Sequence, residues 1–302
     1  MFRGSITALV TPFKNGNIDW KAFDDIVERQ IENGASGVVP CGTTGESPTL
    51  SHEEHRKVVE RCVKAVKGRI PVIAGTGSNS TAEAIEMTAF AKKAGADAVL
   101  IVTPYYNKPT QEGLYAHYHT IAGAVEIPII IYNIPGRSIV DMSADTMGRL
   151  ARIPHIIGVK DATADMGRVK KQAAACGEKF CQLSGEDATI IDFMEQGGVG
   201  CISVTSNIAP RLCADLHEAW NRGDREGARK IHKSLIPLHK ALFCETSPQP
   251  VKYAASRLGL CADELRLPLV RASIDARKAV DEAMEGLGLV SGGKDATRRA
   301  HG

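Results

Sequence analysis

Residues 37–75 read GVVPCGTTGESPTLSHEEHRKVVERCVKAVKGRIPVIAG, and their pattern indicates the fold class most clearly. It begins with a short apolar run, continues with the amphipathic helical pattern HRKVVERCVKAVKG and ends on a second apolar run, IPVIAG. Nearly continuous apolar runs are typical of strands that are buried on both faces. Gly68 follows the helical pattern, where glycine commonly ends a helix. Strand, helix and strand in this order predict one unit of a parallel sheet.

The same alternation repeats along the chain. Further helical patterns, FDDIVERQIENG and AEAIEMTAFAKKAG, run up to Gly34 and Gly95. Eight units in roughly 200 residues favour a closed (β/α)₈ barrel, with an open doubly wound sheet as the alternative. The eight apolar runs are SITALV from Ser5, GVVPCG from Gly37, IPVIAG from Ile70, AVLIVTP from Ala98, IPIIIYN from Ile127, IIGVKDA from Ile156, FCQLSG from Phe180 and GCISVT from Gly200.

The alternation stops after Thr205, which divides the chain into three predicted parts. Residues 1–208 form the barrel core. Residues 209–290 contain only helical patterns, such as GARKIHKSLIPLHKALF and VKYAASRLGL, and form a helical C-terminal region. Residues 291–302 are Gly-rich and charged without apolar periodicity, which predicts disorder.

Composition excludes several classes of function. The net charge of +2 over 302 residues gives no electrostatic support for nucleic-acid or membrane-surface binding. The N-terminus has no secretory-signal pattern, and no apolar run is long enough for a membrane span. The eight cysteines are scattered and lack a CxxC pair, so we expect them to be reduced. We therefore expect a cytoplasmic protein that acts on small molecules.

Reactive groups in this fold gather where the strands end. Lys160 follows the apolar residues IIGV, so we expect its amine to be held away from bulk water, where a neutral amine can attack a carbonyl. The alternative is a lysine that is ion-paired with Asp161 or Glu186.

Three other strand ends carry candidate groups. Thr43 and Thr44, in GTTGE, offer backbone amides for a carboxylate and hydroxyls for proton relay, although the glycines also fit a tight turn. Tyr132 offers a phenol for acid–base chemistry, or is simply a half-buried core tyrosine. Arg137, on a Pro-Gly turn, suits a carboxylate, or is a surface arginine.

Other chemistries have little support. Gly75 and Gly77 are not followed by the glycine that a dinucleotide fingerprint needs, and no phosphate-binding GxxxxGK[ST] occurs. His52 and His55 lack the HExxH pattern, so we expect neither a metal nor a cofactor. Ser51 and Glu54 form a plausible capping box, which predicts solvent-facing histidines on the first turn of a helix.

The motifs GTTGES, GTGSNSTAEAI, TPYYNKPTQEGLY, YNIPGRS, GVKDAT, SGED and ISVTSN, in this order, resemble the dihydrodipicolinate synthase family. The resemblance extends over residues 2–289. It implies a (β/α)₈ barrel with a helical C-terminal region. It also implies condensation of pyruvate with L-aspartate 4-semialdehyde to 4-hydroxy-tetrahydrodipicolinate, the first committed step of diaminopimelate and lysine biosynthesis.

The resemblance implies roles for individual residues. Lys160 forms the imine with pyruvate, and Arg137 binds the carboxylate of the semialdehyde. The Thr43 and Thr44 amides hold the carboxylate of pyruvate, opposite the backbones of Gly185 and Ile202. A proton relay consists of Thr44, Tyr132 and Tyr106. Tyr106 comes from a neighbouring subunit, which implies a homotetramer built as a dimer of dimers.

Six further positions resemble the family's feedback site for lysine at the dimer interface. A carboxylate suits a cationic ligand, and polar donors suit the ligand's own carboxylate. Two positions depart from the family pattern: Pro48, where alanine is frequent, and Asp161, where glutamate is usual. The six positions are Ser47, His52, His55, Asn79, Glu83 and Tyr105.

Two other functions compete with this one. A sister keto-acid aldolase or lyase, similar to N-acetylneuraminate lyase, shares the lysine, the tyrosine and the GTTGE-like turn. Arg137 argues against it, because a sugar substrate presents hydroxyls there and not a carboxylate. A non-catalytic ligand-binding barrel is disfavoured by the complete set of Lys160, Tyr132 and Thr44.

Overall fold

Eight parallel strands alternate with helices in a computed structural model that describes residues 2–291. Each of the eight predicted runs overlaps one strand, so the predicted alternation is confirmed. In chain order, β1 to β8 are Gly4–Ala8, Gly37–Val39, Ile73–Gly75, Ala98–Val102, Ile129–Asn133, Ile156–Asp161, Cys181–Ser184 and Gly200–Ser203.

The strands form one sheet in the order β2-β1-β8-β7-β6-β5-β4-β3. A parallel bridge between Val38 and Val72 joins the two outer members of this order. The sheet therefore closes on itself as a (β/α)₈ barrel, and the alternative of an open doubly wound sheet is wrong. A short antiparallel hairpin, Phe13–Lys14 with Asn17–Ile18, follows β1.

Twelve α-helices lie in the part of the chain that the structure describes. They include the predicted helical C-terminal region, whose first helix, α9, packs against β1. The division at residues 208 and 209 stays a prediction, and nearly all of the predicted disordered segment 291–302 lies outside the described residues. In order, α1 to α12 are Trp20–Glu32, His52–Val66, Thr81–Ala94, Gln111–Ala124, Pro135–Ser138, Ala144–Leu150, Gly167–Cys176, Ile190–Glu195, Pro210–Asn221, Arg225–Ala241, Gln249–Arg257 and Ile274–Gly286.

Helix ends follow the sequence signals. Ser51 and Glu54 form a complete capping box at the start of α2, as predicted. Gly95 caps α3 with a φ of 94°, a conformation that suits glycine because it has no Cβ.

Side chains alternate between the inside of the barrel and the layer of helices around it. On β5, Ile130 and Tyr132 belong to the inner apolar cluster, whereas Ile131 belongs to the outer one. On β6, Val159 belongs to the outer cluster, so Lys160, the next residue, faces the interior. The period of the strand thus directs a lysine into the barrel.

Candidate active site

Lys160 lies beside Tyr132 at the carboxyl ends of two neighbouring strands. The two residues are partners in the β5–β6 register, and the Lys160 Nζ is 4.2 Å from the centre of the Tyr132 ring. Both side chains are buried. The structure therefore brings together the predicted nucleophile and one predicted proton-transfer group.

Asp161 is not the ion-pair partner of Lys160. Its carboxylate points the other way and accepts hydrogen bonds from Arg168 Nε at 3.1 Å and Gln172 Nε2 at 2.6 Å. It also accepts from the Thr163 hydroxyl at 2.6 Å. Asp161, which departs from the family pattern, therefore anchors α7 outside the barrel.

Gly185 forms the wall opposite the lysine. A Cβ at this position would lie 3.1 Å from Lys160 Cε and 2.7 Å from Ala162 Cβ, so only glycine fits without displacement. The next residue, Glu186, is half-buried, and burial followed by the charge of Asp187 raises its pKa. Lys160 forms no ion pair within 4.0 Å with any carboxylate of residues 2–291.

Asp187, the last residue of the SGED motif, joins the ends of β7 and β8 and was not among the predicted site residues. Its buried carboxylate accepts from Ser203 Oγ at 2.5 Å and from the amides of Val204 and Thr205 at 2.9 and 3.1 Å. Ile202, whose backbone is predicted to face pyruvate, lies on β8 just before these residues.

The GTTGE segment forms a turn directly after β2. Gly45 N donates to Gly42 O and Glu46 N donates to Thr43 O, both at 3.1 Å. Neither the Thr43 nor the Thr44 amide donates to an acceptor within residues 2–291. Two adjacent free amides in a turn form a concavity that favours an anion.

This turn is fixed by residues that the motif analysis missed. The Glu46 carboxylate pairs with Lys252 on α11 and also accepts from the Arg266 amide. Only the apolar neighbours of Lys252 in VKYAASRLGL, which place it on the buried face of a helix, could have indicated that this lysine is internal.

A cavity of about 370 Å³ opens at the same end of the barrel. Thr43, Tyr132 and Arg137 line it, whereas Lys160 and Thr44 do not. Arg137, on α5, donates from Nη2 to Ser247 O at 3.0 Å, which holds its guanidinium at the cavity wall. A cavity of this volume is in the range of small-molecule sites.

Five of the six predicted lysine-site residues line this same cavity: Ser47, His52, His55, Glu83 and Tyr105. Pro48, which departs from the family pattern, also lines it. The sixth, Asn79, donates from Nδ2 to Tyr105 O at 3.2 Å. Within one chain, residues of both predicted sites thus line one shared cavity, which residue patterns alone did not indicate.

The two histidines on α2 differ from each other. His52 is exposed, and its Nε2 is 2.7 Å from Glu83 Oε1. His55 is buried, its Nε2 lies 2.8 Å from Gly75 O, and burial lowers its pKa. The expectation of a solvent-facing side chain is therefore wrong for His55, because it lies on the face of α2 that packs against the barrel.

The remaining Glu83 oxygen accepts from Ser78 Oγ. Tyr105 lies near this carboxylate, and burial followed by the charge of Glu83 raises its pKa. Glu83 therefore has a polar partner at each of its two carboxylate oxygens.

Tyr106 projects away from the rest of the chain. Its side chain is 92% exposed, and its φ of 72° is uncommon for a residue other than glycine. No hydrogen bond joins the hydroxyls of Tyr106, Tyr132 and Thr44 within residues 2–291. The predicted relay is consequently not assembled within one chain.

Residues 2–291 contain neither a candidate metal site nor a candidate membrane span. No cluster of three His, Cys, Asp or Glu side chains is arranged to hold a metal ion. No helix has both the length and the apolar character needed to cross a bilayer.

A closed parallel barrel with a buried lysine amine and free turn amides at its strand ends defines a (β/α)₈-barrel enzyme. The model of the dihydrodipicolinate synthetase family matches residues 1–287. The 4-hydroxy-tetrahydrodipicolinate synthase of Rhodospirillum centenum is 62% identical over 291 residues, which cover 96% of this chain and 100% of that protein. The chain therefore belongs to the dihydrodipicolinate synthetase family.

Two solved structures with bound ligands are also similar. The chloride-inhibited dihydrodipicolinate synthase of Acinetobacter baumannii, complexed with pyruvate, has a TM-score of 0.94 and 48% identity, covering 96% of this chain and 100% of that one. The enzyme of Cyanidioschyzon merolae, with lysine bound, has a TM-score of 0.93 and 38% identity, covering 96% and 99%.

Proposed function

We propose that this enzyme condenses pyruvate with L-aspartate 4-semialdehyde to give 4-hydroxy-tetrahydrodipicolinate, the first committed step of diaminopimelate and lysine biosynthesis. The observation that carries the proposal is the buried Lys160 amine beside Tyr132, with no carboxylate paired to it in residues 2–291 and a glycine wall opposite. The family of the chain and the pyruvate complex of a similar enzyme support it.

The reaction begins with attack of the Lys160 amine on the C2 carbonyl of pyruvate. Loss of water leaves an imine, and loss of a proton from C3 gives an enamine. The enamine carbon forms a bond to the aldehyde carbon of the second substrate, whose oxygen takes up a proton. Attack by the second substrate's amino group on the imine then closes the ring and releases the Lys160 amine.

The surrounding residues have separate tasks. The free amides of Thr43 and Thr44 hold the carboxylate of pyruvate, with the backbones of Gly185 and Ile202 on the other side. Arg137, which lines the cavity, takes the carboxylate of the semialdehyde.

Proton transfer needs a second chain. Thr44 and Tyr132 supply two hydroxyls of the relay, and Tyr106 of the neighbouring subunit supplies the third. The exposure and the unusual φ of Tyr106 support a role outside its own chain. The active assembly that we propose is a homotetramer, built as a dimer of dimers and located in the cytoplasm.

Substrate choice is tested by turnover. Pyruvate is supplied with aspartate semialdehyde and, in a separate reaction, with N-acetylmannosamine, the substrate of the sister lyases. We expect product only with the semialdehyde, because the guanidinium of Arg137 suits the carboxylate of the semialdehyde and not the hydroxyls of the sugar. Turnover of the sugar alone would refute the choice of second substrate.

Feedback inhibition by lysine is the second part of the proposal. The His52–Glu83 pair and the donors around it form a polar wall of the cavity, and a lysine-bound similar enzyme supports the choice of ligand. The ammonium of lysine pairs with Glu83, while Ser47, His52, His55, Asn79 and Tyr105 surround the rest of the ligand.

A lysine titration of the wild type and of E83Q tests this. Inhibition at millimolar lysine, lost in E83Q and kept in E86Q, is the expected result, because Glu86 is an exposed glutamate on the same helix. An uninhibited wild type would remove the regulatory role.

A further inference from the structure

Lys252, from the helical C-terminal region, reaches the turn that follows β2. Its side chain is completely buried, and its Nζ lies 2.6 Å from Glu46 Oε1. The same amine donates to Glu264 O at 2.6 Å and lies 4.0 Å from the centre of the Phe13 ring. Removing one partner of such a desolvated pair leaves an uncompensated buried charge, which is strongly destabilising.

Glu46 is held at both carboxylate oxygens. Oε1 faces Lys252, while Oε2 accepts from the Arg266 amide at 3.0 Å. Its backbone has a φ of 54° and a ψ of 37°, the left-handed conformation that side chains disfavour. Such a conformation persists when surrounding contacts determine it, and here Lys252 and Arg266 provide those contacts.

The position of Glu46 determines the position of the free amides. Glu46 N closes the turn on Thr43 O, and Gly45 O is fixed by the Thr11 hydroxyl at 2.7 Å. Thr43 and Thr44 directly precede these two residues, and the bond from Glu46 N to Thr43 O ties them to Glu46. A change in Glu46 therefore moves the amides that are proposed to receive the carboxylate of pyruvate.

We propose that Lys252 is a positioning residue for pyruvate, acting through its buried ion pair with Glu46 on the Thr43–Thr44 amides. This inference rests on the proposed function. It makes the helical C-terminal region part of the substrate site, although Lys252 does not contact the substrate. Burial and the charge of Glu46 act in opposite directions on the pKa of Lys252, and burial, the larger influence, lowers it.

The first test is K252M, which keeps the length of the side chain and removes its charge. Borohydride trapping at varied pyruvate concentration gives half-saturation for the first substrate alone. We expect this value and the KM for pyruvate to rise roughly tenfold, because small displacements at a reacting centre are costly. The KM for the semialdehyde and kcat are expected to change by less than about threefold.

K252M leaves the Glu46 carboxylate buried without its partner, which lowers stability. The double variant E46Q/K252M removes both charges and keeps an oxygen that accepts from the Arg266 amide. We expect its Tm to recover relative to K252M while half-saturation by pyruvate stays raised. If the ion pair only stabilised the fold, E46Q/K252M would recover both its Tm and wild-type half-saturation by pyruvate.

The control is K64M, which removes an exposed pair between Lys64 and Glu60 and should leave every constant within about twofold. A folded K252M or E46Q/K252M with wild-type half-saturation by pyruvate would overturn the positioning role and leave the proposed function intact. A wild-type enzyme that forms no adduct with pyruvate would overturn both.

Discussion

Gly185 offers a direct test of how closely the barrel surrounds Lys160. In G185A the new Cβ would lie 3.1 Å from Lys160 Cε, whereas carbon atoms in contact prefer about 3.5–4.0 Å. The lysine must therefore move by roughly 0.4–0.9 Å. Because a misplacement of about 1 Å costs up to ~100-fold in rate, we expect imine formation to slow by a factor of about 10 to 100.

The assay is the rate of borohydride-trapped adduct at saturating pyruvate, followed by mass spectrometry. The Cβ would also lie 2.7 Å from Ala162 Cβ, so A162G/G185A should regain Tm without regaining the rate. G123A is the control, since a Cβ on Gly123 meets no atom within 4 Å. Trapping of G185A at the wild-type rate would refute the claim that Lys160 needs a glycine at position 185.

Three further results are expected. Y106F and K160A should each be inactive. When the two variants are co-expressed, half of the dimers are mixed and each mixed dimer contains one complete site, so about a quarter of wild-type activity should return. A fully inactive mixture would contradict the supply of Tyr106 from the neighbouring subunit. R137M should raise the KM for aspartate semialdehyde about 10- to 100-fold, the loss expected for a charged hydrogen bond, and leave pyruvate trapping unchanged; an equal loss in both assays would place Arg137 elsewhere. Burial lowers the pKa of His217 to about 4 in the folded protein. Because His217 of the unfolded chain takes up its proton near pH 6.5, before that of the folded protein does, the stability of the fold decreases as the pH falls from about 6.5 to 4. In chemical denaturation at several pH values, H217Q should reduce the change of unfolding free energy with pH by up to about 1.4 kcal/mol per pH unit. An unaltered pH dependence would mean that other groups cause the loss of stability.

The barrel could be predicted because each strand and helix carries its own local signal. Apolar runs, helical periodicity and the capping box at Ser51 are properties of neighbouring residues, and the structure confirms them. The inward direction of Lys160 follows from the same strand period once its apolar neighbours are identified as a buried strand.

Long-range pairs could not be predicted in this way. The Glu46–Lys252 contact joins a turn after β2 to a helix near the end of the chain, and nothing local in either segment specifies the other. The burial of His55 could not be predicted because the first turn of a capped helix is usually exposed, whereas here α2 packs that face onto β3. The cavity that the two predicted sites share likewise depends on how four loops meet in space.

The whole proposed reaction depends on an imine between the Lys160 amine and pyruvate. Treatment with pyruvate and borohydride, followed by peptide mass spectrometry and an activity assay, tests it most directly. We expect a reduced pyruvate adduct on Lys160, in proportion to the activity lost, and no adduct on the buried Lys252. An unmodified Lys160 in an enzyme that keeps its full activity would contradict it.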